Sequence, residues 1–290
     1  MQMNKPVQKI AAIHDLSGIG RVSLSTIFPV FSSLGIQVCA LPTAVLSSHT
    51  QYPGVRHLSL DDQMREFIKH WKELDVQFDA IYSGYLGNAG QIDIVRDFID
   101  DFRQDNQLVV VDPVMADNGK LYTTFTNELV VEMRRLIEKA GVITPNLTEA
   151  AFLLDEPYNE DITLEEAKNW ALRLADKGPD IVIITSVPEK GNKTAAIAYH
   201  QRTERFWKVS IEYLPASYPG TGDTFTSVIT GALLQGDSLP IALDRAVNFI
   251  NIGVRATFGH DYDPREGIML ERVLHTLDGP VQSSSYQLLD

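Results

Sequence analysis

The stretch Gly220-Thr221-Gly222-Asp223 has the residue types of a phosphate-binding turn. Two glycines separated by one residue let the backbone turn tightly and expose successive N–H groups. A helical pattern starts near Asp223, so the positive end of the helix dipole faces the same place. A carboxylate in such an anion hole can take the proton of an attacking alcohol. The alternative is that Thr221 or Asp223 is only the N-cap of the helix, a position that both residue types favour.

A second acidic stretch begins with Asp112, which follows the apolar run Leu108–Val111. In open α/β sheets, ligands bind beyond the carboxyl ends of the strands. Asp117 comes five residues later, in a loop with Asn118 and Gly119 that can fold over a ligand. Asp112 is therefore a candidate binding residue, although a carboxylate at a strand end can also simply cap a turn.

Asn146 and Glu149 are three residues apart and fall on one face of a helix start. Their oxygen atoms suit a hydrated Mg²⁺, which keeps several waters and contacts few carboxylates. The same spacing is also that of a capping box, in which the first residue caps the helix and the third helical residue reaches back. Spacing alone favours the capping box.

Two polar segments precede helical patterns in the first 54 residues of the chain. Gly18-Ile19-Gly20 starts like a dinucleotide-binding turn, but Ser23 occupies the third glycine position and no acidic residue ends the second strand. The sequence also lacks a G-x-x-x-x-G-K-[ST] loop, which excludes a P-loop nucleotide site. The segment 47–54 contains His49, and a lone histidine in a polar loop is more often structural than catalytic.

The elements that must position these residues alternate between short apolar runs and helical patterns. Such alternation predicts a doubly wound, mostly parallel sheet in one domain spanning residues 1–290. The predicted strands are Ile10–Ile13, Ile36–Leu41, Ala80–Ser83, Leu108–Val111, Val142–Ile143 and Ile181–Thr185, and an antiparallel pair follows at Thr194–Tyr199 and Arg205–Tyr213. The predicted helices are Val22–Leu34, Asp61–Glu73, Asn88–Arg103, Asn127–Ala140, Leu164–Lys177, Asp223–Leu234 and Pro240–Phe258.

Composition narrows the class of protein. Lys and Arg number 25 against 38 Asp and Glu, a net charge of −13, which disfavours binding to nucleic acid or an anionic membrane. The single cysteine, Cys39, lies in an apolar strand-like run and is expected to be a buried thiol. No run approaches the roughly 20 apolar residues of a membrane span, and the N-terminus has no apolar leader segment, so we expect a cytoplasmic protein.

Taken together and in this order, the motifs resemble those of the ribokinase-like superfamily and, within it, the pyridoxal (vitamin B6) kinases. The resemblance covers nearly the whole chain. It includes the glycine turn before Asp223, an N-x-x-E motif and a D-P-V-M strand end. More discriminating are Ser48-His49-Thr50-Gln51-Tyr52 and Gly84-Tyr85-Leu86-Gly87, which are similar to substrate segments of pyridoxal kinases. The fold that it implies is a three-layer α/β/α sandwich with a central, mostly parallel sheet and a small antiparallel edge.

The resemblance implies ATP-dependent phosphorylation of the 5′-hydroxymethyl group of pyridoxal, pyridoxine or pyridoxamine. Asp223 would be the catalytic base, and the N–H groups of Gly220, Thr221 and Gly222 would stabilise the transferring phosphoryl group. Mg²⁺ would be held near Asp112 and Glu149, with room for a monovalent cation such as K⁺, and the protein would be a homodimer. The implied substrate contacts are Asp15, His49, Thr50 and Tyr85, and the implied nucleotide contacts are Asp112, Asp117, Asn146, Thr185, Ser186, Leu214, Tyr218, Thr221 and Asn251.

Asp15 departs from the family pattern, because many pyridoxal kinases have serine there. An ionised carboxylate accepts hydrogen bonds but cannot donate one to the aldehyde of pyridoxal. We therefore expect a relative preference for pyridoxamine or pyridoxine, unless Asp15 turns inward and caps the turn at Ser17 or Gly18. Two other functions stay open: a hydroxymethylpyrimidine kinase with the same catalytic residues, and a vitamin- or nucleotide-binding protein without activity.

Overall fold

The computed structural model describes residues 7–279 and 284–289 and is built around a ten-stranded sheet. Its strand order is β12-β11-β10-β9-β8-β5-β4-β1-β2-β3, and the remaining strands, β6 and β7, form a separate hairpin. The strands are β1 (Gln8–Ser17), β2 (Ile36–Leu46), β3 (His57–Ser59), β4 (Ala80–Ser83), β5 (Leu108–Val111), β6 (Ala116–Asp117), β7 (Lys120–Leu121), β8 (Val142–Ile143), β9 (Ile181–Glu189), β10 (Lys193–His200), β11 (Arg205–Glu212) and β12 (Gln287–Leu289).

Six strands, from β9 to β2 in the sheet order, pair in parallel, while β10, β11 and β12 on one side and β3 on the other pair antiparallel. The parallel strands are covered on both faces, which explains their continuous apolar sequences. In β1, for example, Ala11 and Ile13 face one core cluster while Ile10 and Ala12 face the other.

The helices form two layers around this sheet. One core cluster packs residues of α2 to α6 against the sheet, and the other packs residues of α1 and α7 to α9. The helices are α1 (Ser23–Ser33), α2 (Asp61–Glu73), α3 (Ala89–Phe102), α4 (Asn127–Ile137), α5 (Leu147–Leu154), α6 (Leu164–Ala175), α7 (Thr221–Leu234), α8 (Leu239–Thr257) and α9 (Leu270–Val273). The predicted three-layer α/β/α sandwich is confirmed.

The predicted elements are all present, and the helix ends differ by at most three residues. Strands β1 and β2 continue four and five residues beyond their predicted ends, to Ser17 and Leu46. The largest helix difference is in α4, which stops at Ile137 rather than Ala140. β9 does not end at Thr185 as predicted but continues to Glu189, because the antiparallel neighbour β10 supplies hydrogen-bond partners beyond the point where β8 stops. The short edge strands β3 and β12 and the β6–β7 hairpin are not predicted from the sequence. No helix in the described ranges combines the length and the apolar character that crossing a bilayer requires.

Candidate active site

The first turn of α7 is built to leave its backbone N–H groups open. Gly220 has φ +79°, and a Cβ atom there would lie 1.9 Å from the carbonyl oxygen of Arg21, so only glycine fits. No side chain caps α7, and the Thr221 hydroxyl instead donates to the Tyr218 carbonyl at 3.0 Å. The turn therefore offers free N–H donors and the positive helix end to an anion.

Asp223 is the third residue of α7, but its carboxylate does not cap that helix. Its Oδ2 accepts a hydrogen bond of 2.8 Å from the backbone N–H of Ser23, at the start of α1. Burial raises the pKa of Asp223 to about 7, the Ser23 bond opposes this rise, and the negative charge of Asp15 adds to it. A carboxylate with a pKa near neutrality is well matched to accept a proton as a general base.

Asp112 follows β5 directly and is buried below the first turn of α7. A Cβ atom on Gly222 would lie 4.0 Å from Oδ2 of Asp112, which also accepts a 3.1 Å hydrogen bond from the Thr226 hydroxyl. Burial raises the pKa of Asp112 well above its ordinary value, and the negative charges of Glu149 and Asp223 raise it further. Carboxylates from three separate elements therefore share one electrostatic environment.

Glu149 forms the capping box that its spacing favours. Its Oε2 accepts from the backbone N–H of Asn146 at 2.9 Å, while the Asn146 side chain accepts from the backbone N–H of Glu149. The other oxygen, Oε1, accepts from the backbone N–H of Met115 at 3.0 Å. Burial raises the pKa of Glu149 to about 7, although these backbone bonds oppose the rise.

The donor set near Asp112 suits a hydrated divalent cation rather than a closed protein cage. No three side chains of metal-ligating type converge on one point anywhere in the described ranges. Asp112 and Glu149 are nevertheless buried and mutually repulsive when ionised, and a cation relieves such repulsion. Because a carboxylate oxygen can accept more than one hydrogen bond, both groups can still hold metal-bound waters.

The side chains of the predicted substrate residues have different surroundings. Asp15 is buried and accepts from the hydroxyls of Ser17 at 3.0 Å and Ser23 at 2.5 Å, and the Ser17 bond is a contact that the inward-turning alternative predicts. The Tyr85 hydroxyl donates to Thr124 at 3.0 Å, and the negative charge of Asp15 contributes to the raised pKa of Tyr85, after burial. Thr50 is exposed.

His49 is held by the backbone rather than left free for a ligand. Its Nε2 lies 2.6 Å from the carbonyl oxygen of Arg265, and its ring packs against Gly20, where a Cβ atom would lie 2.4 Å away. This geometry favours the structural interpretation of His49.

The β6–β7 hairpin brings Asp117 to the edge of the same site. Asn118 and Gly119 both have positive φ angles, as a two-residue hairpin turn requires. Asp117 is exposed and its carboxylate accepts from Asn118. Tyr122, just after the hairpin, has a raised pKa because of partial desolvation and the negative charges of Glu149, Asp117, Asp112 and Asp223, in that order.

The other predicted nucleotide residues come from several elements: Thr185 and Ser186 from β9, Leu214 and Tyr218 from the segment between β11 and α7, and Asn251 from α8. Thr185 forms an isolated parallel β-bridge with Asn146. The side-chain amide of Asn146 donates to the Ala116 carbonyl at 2.8 Å. Ser186 is exposed and has φ +62°. It lies in the part of β9 that extends beyond the end of the parallel neighbour β8. Leu214, Tyr218 and Asn251 are half-buried. The side-chain oxygen of Asn251 accepts a hydrogen bond from Arg255.

Comparison with known proteins agrees with this geometry. A sequence profile of the phosphomethylpyrimidine kinase family matches residues 29–266. A pyridoxal kinase from Lactobacillus plantarum is 31% identical, with a TM-score of 0.85 over 93% of this chain and 96% of its own. The chain belongs to this family of kinases. The curated pyridoxal kinase of Arabidopsis thaliana is 29% identical over 87% of this chain and 84% of its own length.

A still more similar structure comes from Bacteroides thetaiotaomicron. It is described as a phosphomethylpyrimidine kinase and was solved in a crystal form with pyridoxal. It is 64% identical to this kinase, with a TM-score of 0.95 over 98% of this chain and 100% of its own. The resemblance to pyridoxal kinases that the motifs indicate is confirmed, as is the ribokinase-like fold.

Several residues of this kinase's site are not found by sequence reasoning. Ser23 gives no signal, since its contact with Asp223 joins residues 200 positions apart. Thr226 does give a signal in the sequence, because it lies three residues after Asp223 on α7 and therefore on the same helix face. Tyr122 follows an Asn-Gly pair, which is a hairpin signal, and in the hairpin its backbone N–H donates to the Met115 carbonyl at 2.9 Å.

Proposed function

We propose that this kinase transfers the γ-phosphoryl group of ATP to the 5′-hydroxymethyl group of pyridoxal or another B6 vitamer. The observation that carries the proposal is Asp223, a buried carboxylate in the uncapped first turn of α7 with its pKa raised to about 7. The 64% identical protein solved with pyridoxal supports the substrate class.

In the proposed reaction, Asp223 accepts the hydroxyl proton as the vitamer oxygen attacks phosphorus. The bond between phosphorus and the bridging oxygen of ADP breaks, and ADP leaves with that electron pair. The N–H groups of Gly220, Thr221 and Gly222 stabilise the charge that develops on the transferring oxygens. Ser23 holds the Asp223 carboxylate through its backbone N–H.

The remaining site residues have proposed positioning roles. Asp112 and Glu149 would hold Mg²⁺ through its waters, and the metal when bound would neutralise phosphate charge. Asp15, Thr50 and Tyr85 would contact the pyridine ring. Asp117 and Asn146 would approach the phosphates, with the nucleotide contacts completed by Thr185, Ser186, Leu214, Tyr218 and Asn251. A requirement for K⁺ stays a prediction of the resemblance.

A coupled assay of ADP release tests this function. Purified protein, ATP and Mg²⁺ are combined in turn with pyridoxal, pyridoxine, pyridoxamine, hydroxymethylpyrimidine and its monophosphate. We expect the highest kcat/KM with a B6 vitamer, and with Asp223→Asn a kcat that is lower by about two to four orders of magnitude. A higher kcat/KM for a pyrimidine would replace the proposal with the second candidate, which the name of the matching family favours. If none of the five substrates leads to ADP release, the protein binds its ligands without phosphorylating them.

We also propose a cytoplasmic homodimer. The edge pair β2–β3 offers an apolar surface for self-association, since Val45 and Leu58 face each other across the strands and are 41% and 62% exposed. Light scattering after size exclusion measures the mass directly, and a mass near the 32.3 kDa of one chain would refute the dimer.

A further inference from the structure

A segment near the C-terminus crosses the β1–α1 turn. We call residues 262–271 the strap and residues 18–22 the β1–α1 turn. The backbone N–H of Arg21 donates to the Glu266 carbonyl at 3.0 Å, and Nη1 of Arg21 donates to the same oxygen at 3.1 Å. Gly267 has φ +82°, and a Cβ atom there would lie 2.9 Å from the Pro219 carbonyl. The strap thus contacts both the β1–α1 turn and the residues that lead into α7.

The Arg21 side chain fastens the strap. Its Nε lies 2.9 Å and 2.8 Å from the two carboxylate oxygens of Glu271, and its Nη1 contacts the Tyr262 hydroxyl. The side chain is only 24% exposed, whereas that of Glu271 is 67% exposed. A planar guanidinium that donates to three partners at once restricts the turn more than a single ion pair would.

On its other side, the β1–α1 turn contacts the proposed catalytic residues. The Arg21 carbonyl occupies the space beside Gly220 that a side chain would need. Two residues later, Ser23 donates its backbone N–H to Asp223 and its hydroxyl to Asp15. Ser23 does this with φ +47°, a conformation that costs energy for a non-glycine residue and persists only where the surroundings hold it.

The strap also reaches the predicted substrate segment. The Arg265 carbonyl lies 2.6 Å from His49 Nε2, and the Arg265 guanidinium lies 4.7 Å from the centre of the Tyr52 ring. His49 in turn packs on Gly20. The strap, the β1–α1 turn and the substrate segment therefore contact one another next to Asp223.

We propose that Arg21 is a positioning residue for Asp223: by fastening the strap to the β1–α1 turn, it holds the Ser23 N–H and the Gly220 turn where the transfer step needs them. This inference rests on the proposed function, because it takes Asp223 as the base. The role differs from plain stabilisation in that it predicts a loss of kcat at nearly constant KM.

The test compares Arg21→Met and Arg21→Lys with a matched control, Arg245→Met. Arg245 on α8 is 16% exposed, pairs with Asp237 and donates to the carbonyls of Leu277 and Gly279. It therefore fastens another C-terminal segment, beside the far end of α7. We expect Arg21→Met to lower kcat about tenfold or more while KM for vitamer and ATP stays within about threefold, with Arg21→Lys intermediate. Arg245→Met should keep kcat within about twofold.

Amide hydrogen exchange of residues 18–25 provides a readout that does not depend on activity. Exchange there should accelerate about tenfold or more in Arg21→Met and stay unchanged in Arg245→Met. If the wild type phosphorylates none of the substrates, the proposed function fails, yet the exchange result still tests the positioning role.

Should Arg21→Met not fold, Glu271→Gln removes the charge of the exposed partner, leaves one acceptor oxygen for Arg21, and should lower kcat about threefold. The inference is overturned if kcat and exchange at residues 18–25 match the wild type in the folded variants. It is equally overturned if Arg245→Met loses as much kcat as Arg21→Met.

Discussion

The starts of α5 and α7 have the same local design and different chemistry. Each helix carries a carboxylate at its third residue, Glu149 in α5 and Asp223 in α7, and burial raises both pKa values to about 7. In α5 an N-cap side chain is present and Glu149 completes the capping box. In α7 the N-cap is Gly220, which has no side chain, and Asp223 accepts from another element instead.

The difference shows how a helix N-terminus becomes available to a ligand. Asn146 and Glu149 satisfy backbone donors of their own helix, so that end stabilises the fold. Because Gly220 has no side chain, it cannot cap the N–H donors at the start of α7, and a phosphate can accept hydrogen bonds from them instead. We expect substitutions at the two carboxylates to separate these roles.

Asp223→Asn should produce the largest effect on rate. The asparagine oxygen can still accept from the Ser23 N–H, so the fold and ATP binding stay nearly intact while the base is lost. We expect kcat to fall by about two to four orders of magnitude. Turnover with pyridoxal and the thermal midpoint are measured together, and a kcat within tenfold of wild type would show that Asp223 has only a structural role.

The pH dependence of wild-type kcat/KM should follow the ionisation of Asp223. Because its folded pKa is about 7, activity should fall about tenfold per pH unit below that value. The same pKa lies above the ordinary 3.8, so Asp223 lowers the free energy of unfolding as pH rises from about 4 through 7. The Asp223→Asn variant does not lose this unfolding free energy, so at pH 8 it should melt at a higher temperature than the wild type. A rate that stays constant down to pH 5.5 would contradict the raised pKa.

Asp15→Ser should change the substrate preference and, more weakly, the pKa of the proposed base Asp223. If Asp15 contacts the vitamer, the ratio of kcat/KM for pyridoxamine to that for pyridoxal should fall about tenfold. Removing its charge should also move the acid limb of the profile to lower pH, since Asp15 raises the pKa of Asp223. Ser17→Ala removes one hydrogen bond of Asp15 and keeps the charge, so it serves as the control. An equal change for all three vitamers would leave Asp15 as a turn cap.

Glu149→Gln should have the smallest effect on rate and a clear effect on stability. Both Glu149 oxygens accept backbone N–H bonds, so the new amide group must face one of those donors. The unsatisfied donor should cost about 1–3 kcal/mol of unfolding free energy. At saturating Mg²⁺ we expect kcat within about tenfold of wild type, with more Mg²⁺ needed to reach it.

Glu166→Gln is the matched control for that variant, because Glu166 forms the same capping box with Thr163 at the start of α6. It should destabilise the protein without changing the Mg²⁺ titration. If the two variants give identical Mg²⁺ curves, Glu149 serves the fold alone.

Much of the architecture could be predicted because it depends on neighbours along the chain. Apolar runs such as Leu108–Val111 and the capping box at Thr163 and Glu166 are local patterns, and the structure contains both as predicted. β12 could not be foreseen in this way. Its residues, Gln287–Leu289, are a strand because β11 presents an open edge to them.

The candidate phosphate-binding turn can be recognised from the sequence alone, because Gly220, Gly222 and Asp223 lie within four consecutive positions. The groups that hold the Asp223 carboxylate and raise its pKa come together only when the chain folds. The Ser23 N–H is 200 residues away in sequence, and the Asp15 charge reaches Asp223 only because folding brings the two carboxylates near each other. Burial and charge depend on distances in space, so no spacing along the chain determines them.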